Sequence, residues 1–324
     1  MKKIAVFTSG GDSPGMNACV RAVVRAAIHY DIEVMGIRRG YKGMINDDFI
    51  PMNSRSVSYI LHKGGTILGS ARSDAFRTPE GRKQAYDNLK KHQIDGIVAI
   101  GGDGTFTGAN IFMQEYPDIA IVGTPGTIDN DLYGTDFTIG YDTAINTAME
   151  AIDKIKDTAD SHDRLFFVEV MGRDVGFIAA RSGIAAGAKA ILIPESKTDI
   201  DELVGLLLDN AKKKKLSNIV VVAEGDDEGG AFEIAQKVKD KTSIFDIRVT
   251  VLGHMQRGGS PTCMDRVLAS RLGVAAVEAL KADKKGIMLG QLHRKISEIP
   301  FEQAIKHHKK MSTELEDLSK ILAF

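Results

Sequence analysis

Short apolar runs recur along the chain, at residues 4–7, 34–37, 97–100, 119–122, 165–170, 191–193, 219–223 and 249–252. Each is rich in β-branched residues and gives way to a glycine or polar cluster, then to a helical pattern. Strands that are apolar on both faces belong in a parallel sheet covered by helices on both sides. The first intervening helix carries Val20, Val23, Val24, Ala27 and Ile28 at helical spacing, a stripe suited to packing on such a sheet. Pro14 and Gly15 precede it, where a missing N–H costs little. The pattern also repeats. Residues 97–104 resemble 219–226, and the opening strand with its Gly10-Gly11-Asp12 turn resembles 167–173. Any strand ending in glycine and an acid looks like another, but two correspondences in the same order predict a pair of related domains. The expected fold is α/β: two similar Rossmann-like domains, each a mainly parallel sheet covered by helices, with a boundary near Gly140. Ligands of such sheets bind beyond the carboxyl ends of the strands, so the chemistry is expected in the polar clusters, facing across a cleft.

Composition narrows the classes. A net charge of −1 over 324 residues excludes a polybasic grip on nucleic acid or anionic membrane. No apolar run approaches the roughly 20 residues of a membrane span, and polar residues follow the first apolar run too soon for a signal peptide. Cys19 and Cys263 stand far apart, outside any CxxC pattern, as expected of reduced thiols in a cytoplasm. Glycine is the one excess, 33 residues or about 10% against a usual ~7%, and it clusters after the apolar runs, where backbone approaches ligands.

Three glycine–acid clusters follow strands. Residues 8–15, Thr-Ser-Gly-Gly-Asp-Ser-Pro-Gly, lie between a strand and a helix. They suit either an anion cradle or a plain tight turn, and match neither GxxxxGK[ST] nor GxGxxG. Gly101-Gly102-Asp103-Gly104-Thr105 offers a carboxylate among glycines: a ligand for Mg²⁺ beside a polyphosphate, or a helix cap. Gly123 to Asp131 carries Asp129 and Asp131, which can divide the work of accepting a proton and supporting it, although Asp and Asn also form ordinary turns. Arg72, Arg164, Arg173, Arg248, His254 and Arg257 add cations placed at strand ends, and arginine's planar fork suits phosphate oxygens. Arg21 and Arg25 sit at i and i+4 on the first helix, a like-charge pair that an acidic neighbour or a bound anion would relieve. Neither an activated Ser or Cys nor a His/Cys metal cage is evident. The equipment is that of in-line phosphoryl transfer, which works by positioning and charge neutralisation.

Residues 8–15, 101–105, 125–131, 168–173 and 252–261 closely resemble the bacterial ATP-dependent 6-phosphofructokinases, over almost the whole chain. The strings Pro-Gly-Thr-Ile-Asp-Asn-Asp and Gly-His-Met-Gln-Arg-Gly-Gly-Ser-Pro make the resemblance specific. It implies that MgATP phosphorylates the 1-hydroxyl of fructose 6-phosphate. It implies an ATP-binding domain over 1–140 plus about 256–306, and a fructose 6-phosphate-binding domain over 141–255 plus about 307–324. Gly11, Arg72, Ser73, Gly102, Asp103, Gly104, Thr105 and Gly108 would hold ATP, with Tyr41 against the adenine and Asp103 serving Mg²⁺. Asp129 would take the proton, with Thr127 and Asp131 supporting it and Arg173, Arg72 and Gly11 acting on the transferring phosphoryl. Thr127, Ile128, Met171, Gly172, Glu224, His254, Met255, Gln256 and Arg257 would line the sugar phosphate pocket. Arg164 and Arg248 would reach it from a neighbouring subunit of a homotetramer.

Pyrophosphate-dependent relatives carry Asp and Lys where this chain has Gly104 and Gly126, so the expected donor is ATP. The effector positions depart from the family. Arg21, Arg25, Lys213 and Lys215 match residues that bind ADP or phosphoenolpyruvate, with Gly187 beside them. Ser54 replaces an arginine with Arg55 next to it, Lys156 replaces another, and Lys189 stands where an acid is common. An anion is expected there, with weak or absent activation by MgADP. The alternatives are a pyrophosphate-dependent enzyme, a lipid or NAD kinase sharing Gly-Gly-Asp-Gly, and a catalytically silent nucleotide sensor.

Overall fold

A computed structural model describes residues 1–161, 164–212 and 219–322. The chain runs β1 (Lys3–Thr8), α1 (Met16–His29), β2 (Glu33–Ile37), α2 (Gly40–Ile45), β3 (Phe49–Met52), α3 (Pro79–Lys91), β4 (Gly96–Gly101), α4 (Asp103–Glu115) and β5 (Ala120–Pro125). It continues through α5 (Tyr141–Asp160), β6 (Arg164–Val170), α6 (Phe177–Ala186), β7 (Ala190–Leu192), α7 (Ile200–Lys212), β8 (Ile219–Ala223), α8 (Ala231–Lys241) and β9 (Asp246–Val251). Last come α9 (Cys263–Lys281), β10 (Ile287–Leu292), β11 (Lys295–Pro300), α10 (Phe301–Lys306) and α11 (Thr313–Leu322). Among the described residues no helix is long and apolar enough to cross a membrane.

Two compact units result, Met1–Thr143 with Arg257–Lys309, and Ala144–Gln256 with Lys310–Phe324. The first holds a seven-stranded sheet in the order β11-β10-β5-β4-β1-β2-β3, parallel except for the edge pairings β2/β3 and β10/β11. Its apolar strands feed two cores. Ile4, Val6, Val98 and Ile100 pack toward α1 and α9, whereas Ala5, Phe7, Ile97 and Ala99 pack toward α2, α3 and α4. Alternation along a pleated strand makes this division, and each fully buried Val, Ile or Phe contributes roughly 1.5–3 kcal/mol. The second unit holds an all-parallel sheet in the order β7-β8-β6-β9. Leu165, Phe167, Val220 and Val222 pack there on α7 and α8. The two sequence correspondences occupy equivalent places, since β1 lies beside β4 in one sheet as β6 lies beside β8 in the other.

Ile28 departs from the expected stripe, being 42% exposed, while Ala22 and Ala26 are buried instead. The buried face is widened by a second partner: α9 packs so closely on α1 that a Cβ at Gly273 would come within 2.8 Å of the Ala22 Cβ, while Ile28 shares the outer face with Arg21 and Arg25.

At the start of α5, the buried carboxylate of Asp265 accepts the N–H groups of Gly140 and Thr143, each at 2.8 Å, and the Thr143 hydroxyl at 2.5 Å. Burial pushes this carboxyl up to about 6, against the lowering effect of its three bonds, and Asp142 adds repulsion. The folded carboxyl therefore keeps a proton that the unfolded one, titrating near 3.8, has lost. This contribution to stability is present below the unfolded value and falls as pH rises toward about 6, by on the order of 3 kcal/mol. Asp265→Asn removes this titration. The difference in urea midpoint between wild type and variant is expected to shift toward the variant between pH about 4 and 7. Parallel pH profiles would refute the assignment.

Candidate functional site

The first unit brings three glycine-rich turns together. In its sheet β1 leads toward β2 on one side and β4 toward β5 on the other, so the order reverses between β1 and β4, the usual ligand position in such folds. Ser9 N–H donates to Ile100 O and Gly126 N–H to Gly101 O, both at 2.9 Å, which fixes the ends of β1, β4 and β5 side by side. The Thr105 side chain lies against Gly10 and Gly101, and a Cβ at Gly102 would stand 3.7 Å from the Thr127 Cβ. Asp103 is the first residue of α4, one place past the cap Gly102, so the capping reading of this acid does not hold.

Asp129 is buried, and its N–H donates to the Thr127 hydroxyl at 3.2 Å. Asn130 adopts a left-handed φ of 56°, its Oδ1 accepts Thr138 N–H at 2.9 Å and its Nδ2 donates to Asp136 O at 3.3 Å. Lys309 N–H donates to Asp131 O at 2.9 Å. Sequence reasoning passed over the fastening roles of Asn130 and Lys309: one sits unremarked between two acids, the other lies 178 positions further on (309 − 131). Ile128 is fully buried, so its side chain packs beneath the turn and does not face a ligand.

Gly11 has a close neighbour. A Cβ there would strike the Arg257 guanidinium, whose Nη1 also donates to Asp12 O at 3.4 Å. A depression of about 400 Å³ opens beside this turn, lined by residues that include Gly10, Gly11, Ser70 and Arg72. A second, of about 240 Å³, is lined by residues that include Lys42, Asn46, Arg72 and Ser73. Arg72 borders both, but it lies on an irregular stretch and not at a strand end as expected. Tyr41 also departs from expectation. Its ring is buried and stacked on Phe76 at 3.9 Å, its hydroxyl donates to Thr105 O at 2.6 Å, and a Cβ at Gly108 would meet the ring at 3.0 Å. Enclosed in this way, Tyr41 braces Thr105 and Gly108 and offers no open face to a base; burial pushes its phenol well above the usual range.

The Asp103 carboxylate has no hydrogen bond or ion pair among the described residues, and a Cβ at the adjacent Gly104 would meet nothing within 4 Å. That room and that uncommitted charge fit a hydrated divalent cation carried on phosphate oxygens. No group of three or more His, Cys, Asp or Glu among the described residues forms a separate metal cage. Gly126 differs from Gly104: its Cβ would meet Met16 at 3.0 Å and Ile100 at 3.1 Å, so the expected space for a nucleoside exists at Gly104 and not at Gly126.

In the second unit, the carboxyl ends of β6, β8 and β9 converge. Glu224 accepts the N–H groups of Gly172 at 3.3 Å and Arg173 at 2.7 Å, and the buried Gln256 accepts Met171 N–H at 3.2 Å. Arg173, held at a left-handed φ of 59°, is exposed, as are His254 and Met255. Arg164 and Arg248 are not at this end. Arg164 opens β6 and Arg248 is near the start of β9, and both donate to Asp246, at 3.0 and 3.1 Å. Partial burial would raise the Asp246 carboxyl, but these two bonds leave it below the usual carboxylate range.

Arg21 and Arg25 lack the acidic neighbour expected of them: neither is ion-paired among the described residues, and burial with repulsion from Arg25 lowers the Arg21 guanidinium. Ser54 and Arg55 lie on an exposed turn that the Asn53 side chain closes. In the other unit Lys156 donates to Ala186 O at 3.2 Å, beside Gly187, and Lys189 is partly buried. Lys213 and Lys215 lie outside the described residues.

Glycine turns and carboxylates gathered at the carboxyl ends of parallel strands define an α/β protein built to take phosphorylated ligands there. The sequence profile of the phosphofructokinase family matches residues 3–280, and the chain belongs to that family. It is similar to an ATP-dependent 6-phosphofructokinase of Cytophaga hutchinsonii, 56% identical over 322 residues, which are 99% of this chain and 98% of that protein. It is also similar to ATP-dependent 6-phosphofructokinase 1 of Thermus thermophilus, 53% identical over 323 residues, with 100% of both chains covered. Among solved structures, phosphofructokinase from Saccharomyces cerevisiae matches with a TM-score of 0.91 at 39% identity. All of this chain is covered, but it spans only 48% of the yeast chain.

Proposed function

We propose that this chain, in the cytoplasm, transfers the γ-phosphoryl group of ATP to the 1-hydroxyl of D-fructose 6-phosphate, giving fructose 1,6-bisphosphate and ADP, the committed step of glycolysis. Its relatives bear the name of that activity. The observation that carries the reading is the pairing of the ends of β4 and β5 through Gly126 N–H and Gly101 O, which supports a shared site for the turns that carry Asp103 and Asp129. An uncommitted acid and a buried acid on neighbouring turns suit phosphate charge and proton removal.

In this reading the sugar's 1-oxygen bonds to the γ-phosphorus as its proton passes to an Asp129 carboxylate oxygen, and the bond to ADP breaks with its electron pair leaving on ADP. Thr127 orients the Asp129 backbone through its hydroxyl, and Asp131 supports the turn. Gly11 N–H, Arg72 and Arg173 stabilise the transferring phosphoryl. Gly102, Thr105, Gly108 and Ser73 hold the nucleotide, and Asp103 would hold Mg²⁺. Bound magnesium supplies charge neutralisation at the phosphate oxygens. His254, Arg257, Glu224 and the main chain at Met171 and Gly172 bind the sugar phosphate. The partner subunit's Arg164 and Arg248 complete that pocket in a homotetramer, each aimed by its own Asp246.

The open volume at Gly104 favours ATP over pyrophosphate, because an Asp there would crowd and repel an α-phosphate. The unpaired Arg21 and Arg25 favour an effector anion, while Lys156 lacks arginine's bidentate fork and Lys189 inverts the charge expected beside an effector's metal. One coupled assay tests these points. Turnover is expected with MgATP and fructose 6-phosphate, none with pyrophosphate, and little stimulation by ADP at subsaturating sugar phosphate. Turnover with pyrophosphate but not ATP would overturn the donor, no turnover with either would favour the silent sensor, and strong stimulation by ADP would overturn the effector reading.

A further inference from the structure

Between the end of β3 and the start of α3, residues 53–78 form no strand and only one short 3-10 turn, at Ala75–Arg77. A stretch this long is costly to order and needs anchors. The main one is Asn17, the second residue of α1, only 1% exposed. Its Nδ2 donates to Lys63 O and Gly64 O, each at 3.1 Å, and its Oδ1 accepts Ile67 N–H at 2.7 Å. Three of the bonds an Asn amide can make are thus committed to five consecutive residues of one strap.

From there the strap is passed to β1. The Thr8 hydroxyl donates to Gly69 O at 2.8 Å and accepts from the Thr66 hydroxyl at 2.8 Å, and the Ser70 hydroxyl donates to Gly10 O. Ser70, Ala71 and Arg72 then form one wall of the depression whose other wall is Gly10, Gly11 and Asp12. Just before this run the strap has a second fastening, Ser260 donating to His62 O at 2.9 Å, with Gly64 packed against Gly259. Loss of Asn17 therefore frees the stretch leading to Arg72, while the Ser260 bond to His62 O does not depend on it.

We propose that Asn17 is a positioning residue for the nucleotide: its side chain sets Ser70 and Arg72 opposite the 10–12 turn and so governs MgATP binding. This rests on the reading of that depression as a nucleotide site. Two variants test it. Asn17→Ala removes all three bonds. Ile67→Pro removes only the donor to Oδ1, at the first central position of the turn closed by Gly69 N–H to Thr66 O, a place proline favours.

Steady-state kinetics are read with each substrate varied, together with calorimetric MgATP binding in the absence of sugar phosphate. Asn17→Ala is expected to raise the KM and Kd for MgATP about tenfold and Ile67→Pro about threefold, with the KM for fructose 6-phosphate moving less than about twofold. Hydrogen exchange is expected to quicken over residues 67–72 in both. Folded variants with lowered Tm but wild-type MgATP affinity, or equal shifts in both substrates' KM, would overturn the proposal. Should Asn17→Ala fail to fold, Ile67→Pro decides by the same criteria. Should the wild type show no turnover, the proposed activity fails, while calorimetry with MgATP still decides the role of Asn17.

Discussion

Asp129→Ser is expected to lower kcat by at least about 10²-fold, the low end of what a general base contributes, while the KM for fructose 6-phosphate changes far less. The asymmetry follows from when the carboxylate acts. A base is engaged as the sugar hydroxyl gives up its proton, so its loss is felt in the transition state, whereas groups on the sugar phosphate also hold the ground state. The site makes this a clean test. Asp129 is buried in a turn whose path is set by Asn130, Thr138 and Lys309 through bonds that do not involve its carboxylate. A serine there leaves those bonds in place. Near-normal turnover would remove Asp129 from the role of base.

Mixing two weakened variants, Asp129→Ser and Arg248→Ala, and allowing their subunits to exchange is expected to raise activity at least roughly tenfold above either alone. Arg164 opens β6 and Met171 directly follows its last residue, seven positions on and roughly 23 Å away at about 3.3 Å per residue, and Arg248 stands beside Phe166 near the amino end of the same sheet. Neither arginine can reach the carboxyl end where Glu224 and Gln256 hold residues 171–173. If the arginines serve a neighbouring subunit, some mixed sites combine an intact Asp129 with an intact Arg248. If they serve their own subunit, every site lacks one group or contains only what its parent had. Absence of recovery in verified mixed oligomers would sink the shared-site assignment.

The parallel strands were legible because runs such as Ile97-Val98-Ala99-Ile100 are apolar on both faces, and the turns that follow them mark the carboxyl ends where the glycine–acid clusters meet. Elements that depend on less local information were not. Pro51 argues against a strand, yet β3 accepts it as an edge strand antiparallel to β2. The β10–β11 hairpin turns on His293 and Arg294, with φ of 48° and 67°, and lacks the Asn-Gly signal that normally announces such a turn. The burial of Ala22 depends on α9, more than two hundred residues away in sequence. Within the site, the family resemblance implied Tyr41 against the adenine, and the ligand position at carboxyl strand ends drew the strand-end cations Arg164 and Arg248 there. Packing on Phe76 encloses Tyr41, and the register of β6 with β9 puts both arginines toward the amino ends of their strands.

The discontinuity of the first unit bears on how the protein is made. Its opening 143 residues emerge from the ribosome well before Arg257–Lys309, yet α9 covers α1 and β10 pairs with β5. Until those later segments are synthesised, the nascent chain carries a bare helix face and an unpaired sheet edge, both prone to aggregation. The intervening unit has no such gap except for its last helix, so it can gain order first, and chaperone demand should be greatest while the early sheet waits for its final strands.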